Sequence, residues 1–353
     1  MAKERLHNLK QTTATFLVRG LVTGMKKGKA YQSGTTRNGG KWNSIEFGLN
    51  INNNKTVFIK LNGFPRDEVY YYKSGEKKGE KGTTKKVAWK DRKKSPGEGY
   101  RLIGINITTG KDENDKNINE MFTEYDAVEY LSKALHDGES LLVKGNMNFS
   151  SYVKNDQIKR KIELVPTQIS YTQNAIDFDD ENFKEMAEFE NTIVFADIAP
   201  ETDADEKRTG RFILSGYSIG YNAIENVSFI IDQDHEAVAR AIKKKMKIGN
   251  AIKTYGRISV ENNIEAVMAE ADEWGSTEVS PMERINVPTK REYIVYKVDK
   301  DTFDTETYSE ESIAKALKAI KNAKEASEKF VDNDNENVDS GWGDDEDTED
   351  SPW

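Results

Sequence analysis

The chain has 353 residues, 36% of them hydrophobic and 32% charged, with no cysteine and a net charge of −9. A disulfide framework and a thiolate zinc site are excluded, no apolar run reaches the ~18 residues of a membrane span, and the length suits two ordinary domains. The negative total hides an uneven distribution, because residues 331–353 carry ten acidic side chains and no basic one, which leaves +1 on residues 1–330.

Residues 1–12 read as a flexible polar arm without the hydrophobic core of a secretory leader. Alternation predicts a first strand over 13–23. The Gly- and Lys-rich stretch 24–41 predicts a hairpin loop that offers Lys26, Lys27, Lys29, Tyr31, Arg37 and Lys41 to a polyanion. A second strand over 42–51 puts Ile45, Phe47, Leu49 and Ile51 on the core face and Trp42, Ser44 and Glu46 outside. A third over 55–61 points Val57, Ile59 and Leu61 inwards and Phe58 and Lys60 outwards. Trp42 and Phe58 supply rings for bases and Lys60 a cation for a phosphate; the alternative is that both rings pack under the segment that follows.

That segment, 62–121, interrupts the domain. Between Tyr70 and Lys94 it holds nine Lys and one Arg against three acids. Its candidate contacts are Tyr70, Tyr71, Tyr72, Lys73, Lys77, Lys78, Lys85, Lys86, Trp89, Lys90 and Arg92. It reads as an extended hairpin that wraps a nucleic-acid backbone, or else as a solvated loop, although a solvated loop has no need of the aromatic residues. Residues 102–108 predict a strand returning to the body.

A helix follows, with Val128, Leu131 and Leu135 at helical spacing and Gly138 placed as its C-terminal cap. Next comes a hairpin whose Leu141, Val143, Met147, Phe149 and Val153 share one face, with Lys144, Asn146, Asn148 and Tyr152 on the other. Asn155-Asp156 makes the turn, Ile158, Ile162 and Leu164 resume the alternation, and Gly145 marks a bend or bulge. The candidate contacts here are Lys144, Tyr152, Lys159, Arg160 and Lys161; exposed barrel surface is the alternative reading of the last two. Helix, glycine-bent strand, turn and basic strand make the closing half of an OB-fold. The stretch resembles that half of the bacterial single-stranded DNA-binding protein family at Asp137-Gly138, Val143-Lys144-Gly145 and 160–165. The resemblance implies an OB-fold over 13–171 that binds through the loop between its first two strands and through strands two and three.

An acidic connector spans 172–190. Strands over 192–198, 211–221 and 227–232, a helix over 235–247, and strands over 251–261 and 290–300 repeat the earlier order, so a second OB-like domain is expected over 191–300. Lys253, Tyr255 and Arg257 lie on its outward face, either as contacts or as ordinary surface. A helix over 308–330 presents Ile313, Leu317 and Ile320, and a disordered acidic tail over 331–353 ends DDEDTEDSPW. The tail resembles the C-terminal tip of the same bacterial family, with Trp353 in place of the family's Phe and without its aspartates directly before the proline. The resemblance implies recruitment of replication and repair enzymes through Asp347, Glu349, Asp350, Pro352 and Trp353. A terminal ring with its own carboxylate suits a basic-rimmed pocket, and the acids steer it there.

Catalytic signals are weak. His7, His136 and His235 are far apart in sequence, neither G-x-x-x-x-G-K-[ST] nor G-x-S-x-G occurs, and the acids concentrate in the connector and tail. The expectation is therefore a mainly β protein with a few helices: an OB-fold barrel with a long basic insertion, a second OB-like domain and a disordered acidic tail. It would bind single-stranded DNA without sequence preference in DNA replication, recombination and repair, as a bacteriophage type. No enzyme activity, metal or cofactor is expected. The expected partners are a polymerase, helicase, primase or recombinase, and no membrane; the location is cytoplasmic, in the host cell if phage-encoded. A scaffold protein with protein partners and an RNA binder are the alternatives, and the oligomeric state is left open.

Overall fold

The computed structural model describes residues 5–26, 28–37, 39–77, 79–154, 157–203, 205–262 and 289–334. Lys27, Lys78, the Asn155-Asp156 turn and the tip residues Asp347, Glu349, Asp350, Pro352 and Trp353 lie outside them, as does the tail from 335 onward. The protein is mainly β and divides into a first unit, Ala14–Phe189, and a second unit made of Met1–Thr13 and Glu190–Trp353.

In the first unit β1 (Ala14–Thr23) is the central strand, with β3 (Lys41–Asn52) antiparallel on one side and β10 (Ser140–Lys154) on the other. β4 (Lys55–Gly63) continues from β3, and β11 (Gln157–Tyr171) continues from β10. β4 lies against β11, and β8 (Ile105–Lys111) runs parallel to β11. Helix α1 (Glu124–Ala134) precedes β10, which is the OB order. The expected inward residues Ile45, Phe47, Leu49, Ile51, Val57, Ile59 and Leu61 are buried. Gly145 is required where it stands. The β10–β11 register shifts between Lys144 and Gly145, and a Cβ there would run into the Val165 carbonyl oxygen and approach the Phe16 ring to 2.7 Å. Gly138, by contrast, does not cap the helix. α1 ends at Ala134 with Leu135 as its extended C-cap, and Gly138, at φ +91°, sits in the turn leading to β10.

The expected loop 24–41 contains a strand, β2 (Tyr31–Thr35), paired with β3. The insertion is ordered as well. β5 (Glu68–Lys73) lies between β6 (Thr83–Ala88) and β7 (Arg101–Leu102) in a small sheet of its own. β9 (Asn117–Phe122) pairs with β8 in a hairpin.

The second unit is also built on a barrel order. β12 (Met186–Thr202), β13 (Arg208–Ile219), β14 (Ile224–Ile231), β16 (Thr289–Asp304) and β15 (Ala251–Asn262) neighbour one another in that order, and β15 pairs back with β12. The β14–β16 pair is parallel, and helix α2 (Glu236–Lys245) joins β14 to β15. That is a closed five-stranded OB topology. The N-terminal arm is part of this unit. Leu9 is buried with Val194, Ile219, Ile224 and residues Tyr308, Ile313 and Ile320, the last two on helix α3 (Glu310–Asp334). The Tyr308 hydroxyl donates to the Lys10 carbonyl at 3.0 Å. A polar sequence such as 1–12 hides its anchors because Leu6 and Leu9 are too few to show a period.

Candidate nucleic-acid interface

The outer face of β3–β4 was expected to bring Trp42 and Phe58 together. Register separates them. Phe58 stands opposite Gly48, six residues along β3 from Trp42, which is about 20 Å on an extended strand. Trp42 lies one step beyond the last β3–β4 pair, Asn43 with Gly63, and Phe64, just past the end of β4, is 52% exposed. The indole lies over Gly34, whose Cβ, if present, would stand 3.0 Å from the ring nitrogen, and Trp42 is half-buried there. Tyr31 pairs with Ile45 and so faces the opposite side from Trp42. Ser44, expected outside, is buried.

Between the two rings lies an ion pair, Lys60 to Glu46 at 3.7 Å across the strands. Glu46 therefore competes with any phosphate for Lys60. Glu46→Gln should leave stability within about 0.5 kcal/mol, because exposed pairs contribute little. It should modestly tighten binding to oligo-dT at low salt, and an unchanged or weaker affinity would remove this face from the interface.

In the insertion the three adjacent tyrosines have different fates. Tyr70 and Tyr72 are exposed on one face of β5, at 40% and 42%, while Tyr71 is buried on the other. Tyr70 stands directly opposite Lys86, whose ammonium is 5.6 Å from the ring centroid. Glu68 hydrogen-bonds that ammonium and holds it above its ordinary pKa. Lys85 lies 4.5 Å over Tyr100, a ring that composition alone did not single out. Lys73, Lys77 and Lys90 are exposed.

Tyr71, Trp89 and Arg92, expected as nucleic-acid contacts, instead fasten the insertion to α1. The guanidinium of Arg92 makes two 2.8 Å hydrogen bonds to the carboxylate of Asp126. Thr123, the N-cap of α1, accepts from the Asp126 amide and donates to its carboxylate. Trp89 lies under Arg92 at 4.3 Å and meets Tyr125 edge-on at 6.1 Å, and the Tyr71 hydroxyl donates to the Arg92 carbonyl at 2.6 Å. Burial works against charge on Asp126, but hydrogen bonds from Arg92 and Thr123 outweigh it and hold the carboxyl below its ordinary value. Beside this clamp lies a groove of about 1060 Å³, lined by Lys93, Arg101 and Lys133 but also by Glu120 and Glu129, a mixture that does not favour an anion.

The β10–β11 ribbon carries the third group. Tyr152 is opposite Lys159, Ser151 opposite Arg160 and Ser150 opposite Lys161, all exposed. Lys161 is paired with Glu163 at 3.4 Å. Lys26, Lys29, Arg37, Lys41 and Lys144 are exposed too, and none makes an ion pair among the described residues.

The second barrel is arranged differently. Arg211 touches Glu201, Asp232 and Glu292; Arg257 pairs with Asp232 at 2.9 Å, Lys253 with Glu190 at 2.6 Å and Lys290 with Glu292 at 2.7 Å. Tyr255 lies between two cations, with Lys253 and Lys297 both over its ring. Among the described residues no cluster could hold a metal ion, and no helix is long and apolar enough to cross a membrane.

The model of the YorF family matches residues 74–337. No curated protein matches the sequence. Among solved structures the chain is similar to the wild-type single-stranded DNA binding protein from Thermus aquaticus, at 8% identity and TM-score 0.37, over 82% of this chain and 93% of that one. A deletion mutant of the same protein gives the same identity and score over 82% and 94%.

Proposed function

The chain belongs to the YorF family, and we propose that it binds single-stranded nucleic acid, DNA in the first instance, without sequence preference and through its first unit. One observation carries this reading: an exposed tyrosine stands directly across the strand from a lysine in two separate ribbons, Tyr70 with Lys86 and Tyr152 with Lys159. A ring stacks on any base, and a neighbouring cation neutralises the linking phosphate, so the pair recognises a strand without reading its sequence. Exposed Lys26, Lys29, Arg37, Lys41 and Lys144 extend the positive surface. In the second barrel Arg211, Lys253 and Arg257 are matched by carboxylates, whereas exposed Lys243, Lys244, Lys245 and Lys247 make no ion pair among the described residues.

On this reading the protein is a binder and not an enzyme, and it works in DNA replication, recombination or repair, as the bacteriophage type expected from the sequence. The acidic tip through Trp353 recruits replication or recombination proteins.

The test is a fluorescence titration with oligo-dT, oligo-U and duplex DNA at two salt concentrations. Binding selective for single strands should fall steeply as salt rises, the slope counting the phosphates neutralised. No binding at low salt would refute the proposal, and preference for oligo-U would reassign the surface to RNA.

A further inference from the structure

The β10–β11 ribbon outlives the barrel it comes from. On one face the cross-strand pairs run Met147–Leu164, Phe149–Ile162, Ser151–Arg160 and Val153–Ile158. The first pair is buried and the second half-buried, but Val153 and Ile158 at the far end are each 71% exposed. Two branched apolar side chains face each other across the strands, in open solvent, beside the exposed cations Lys154, Lys159 and Arg160. Among the described residues none of these three cations makes an ion pair. An apolar pair displayed this way beside cations offers a partner surface to bury.

We propose that Val153 and Ile158 form an apolar wedge that enters between stacked bases and opens short hairpins in an otherwise single-stranded nucleic acid. This deepens the binding function proposed above and rests on it. What can cover the pair must be apolar and flat, and what can satisfy the cations must be anionic and closely spaced. A base stack strung on phosphates is both, and inserted aliphatic side chains do unstack base steps. The Tyr152–Lys159 pair on the reverse face would hold a strand once it is freed. A second copy of the chain is disfavoured as the occupant, because bringing two such tips together would set Lys154, Lys159 and Arg160 of each against the other.

The test uses the full-length protein with Val153→Thr and Ile158→Thr together, which keeps the β-branched shape at two exposed positions and removes their apolar character. Two substrates separate the questions: oligo-dT, which has no structure to open, and a short hairpin carrying a fluorophore and quencher at its ends. The wild type should bind oligo-dT and open the hairpin. The variant should bind oligo-dT within about twofold of wild type and open the hairpin at least tenfold less well. A wild type that binds oligo-dT but opens no hairpin, or a variant that opens it equally well, overturns the wedge alone. Equal loss on both substrates overturns it too, making the tip ordinary binding surface. Failure of the wild type to bind oligo-dT removes the underlying function and the wedge with it. Sedimentation of wild type and variant, and titration with a peptide of residues 331–353, complete the test. A mass lowered by the substitutions would assign the tip to self-association, and peptide binding lost in the variant would assign it to the acidic tail; either overturns the wedge.

Discussion

Arg92→Ala is expected to cost the first unit about 3 kcal/mol, because it removes both hydrogen bonds to the buried carboxylate of Asp126 and leaves only the exposed Lys93 ammonium, 3.9 Å away, as counter-charge. Urea unfolding of the variant reads the loss directly. Arg92→Ala with Asp126→Ala should be less damaging than Arg92→Ala alone, since no orphaned charge remains. Arg92→Lys separates the clamp from the phosphate contact expected of this residue. A lysine can still neutralise a phosphate but cannot make the two parallel hydrogen bonds to Asp126. Stability should therefore fall in Arg92→Lys while the salt dependence of DNA binding stays as in wild type. Unchanged stability in Arg92→Lys, with a shallower salt slope in Arg92→Ala, would return Arg92 to the interface. The pH dependence has a definite sign. The folded pKa of Asp126 is depressed, so its contribution is fully present above the unfolded carboxylate value of about 3.9 and is lost as pH falls through the folded value. The stability gap between wild type and Asp126→Asn should be widest above about pH 4 and close below it.

The clamp also shows where sequence reading stops. Core strands were legible because burial on one face imposes a period of two: Ile45, Phe47, Leu49 and Ile51 all lie inside. The second barrel was legible in its order of elements, although no residue in it is diagnostic. Arg92 and Asp126 are 34 residues apart with β7, β8 and β9 between them, and a single Arg in a run of nine lysines carries no mark of its partner. Composition assigned it to phosphate because composition has no distances. The offset between Trp42 and Phe58 was hidden for a different reason. Counting outward from the Asn53-Asn54 turn would pair Phe58 with Leu49, but the register shifts between Asn50 and Asn52, so Phe58 stands opposite Gly48 and alternation alone does not give the distance. The arm was not legible because two leucines spaced through twelve mostly polar residues show no period, though Leu9 is buried in one cluster with Ile313 and Ile320 of α3 and Leu6 packs against it.

Tyr70, Tyr71 and Tyr72 make the interface testable with its own control. Tyr70→Ala with Tyr72→Ala should weaken oligo-dT binding by about 1–3 kcal/mol for each ring that stacks a base, roughly tenfold or more per ring, and leave the urea midpoint nearly unchanged. Tyr71→Ala should do the reverse. Its ring is buried and its hydroxyl holds the Arg92 carbonyl, so the first unit should lose about 3 kcal/mol or more. Tyr71 is one position along the strand from each of the other two and lies on the opposite face. If both weaken binding without loss of stability, β5 does not hold the face that its register gives it. If neither weakens binding, the tyrosine–lysine pair on the insertion is surface alone, and only Tyr152 with Lys159 would be left to support a stacking mechanism. A loss confined to Tyr70→Ala and Tyr72→Ala, steep in salt and absent with duplex DNA, follows if exposed rings beside lysines are what the first unit offers a single strand.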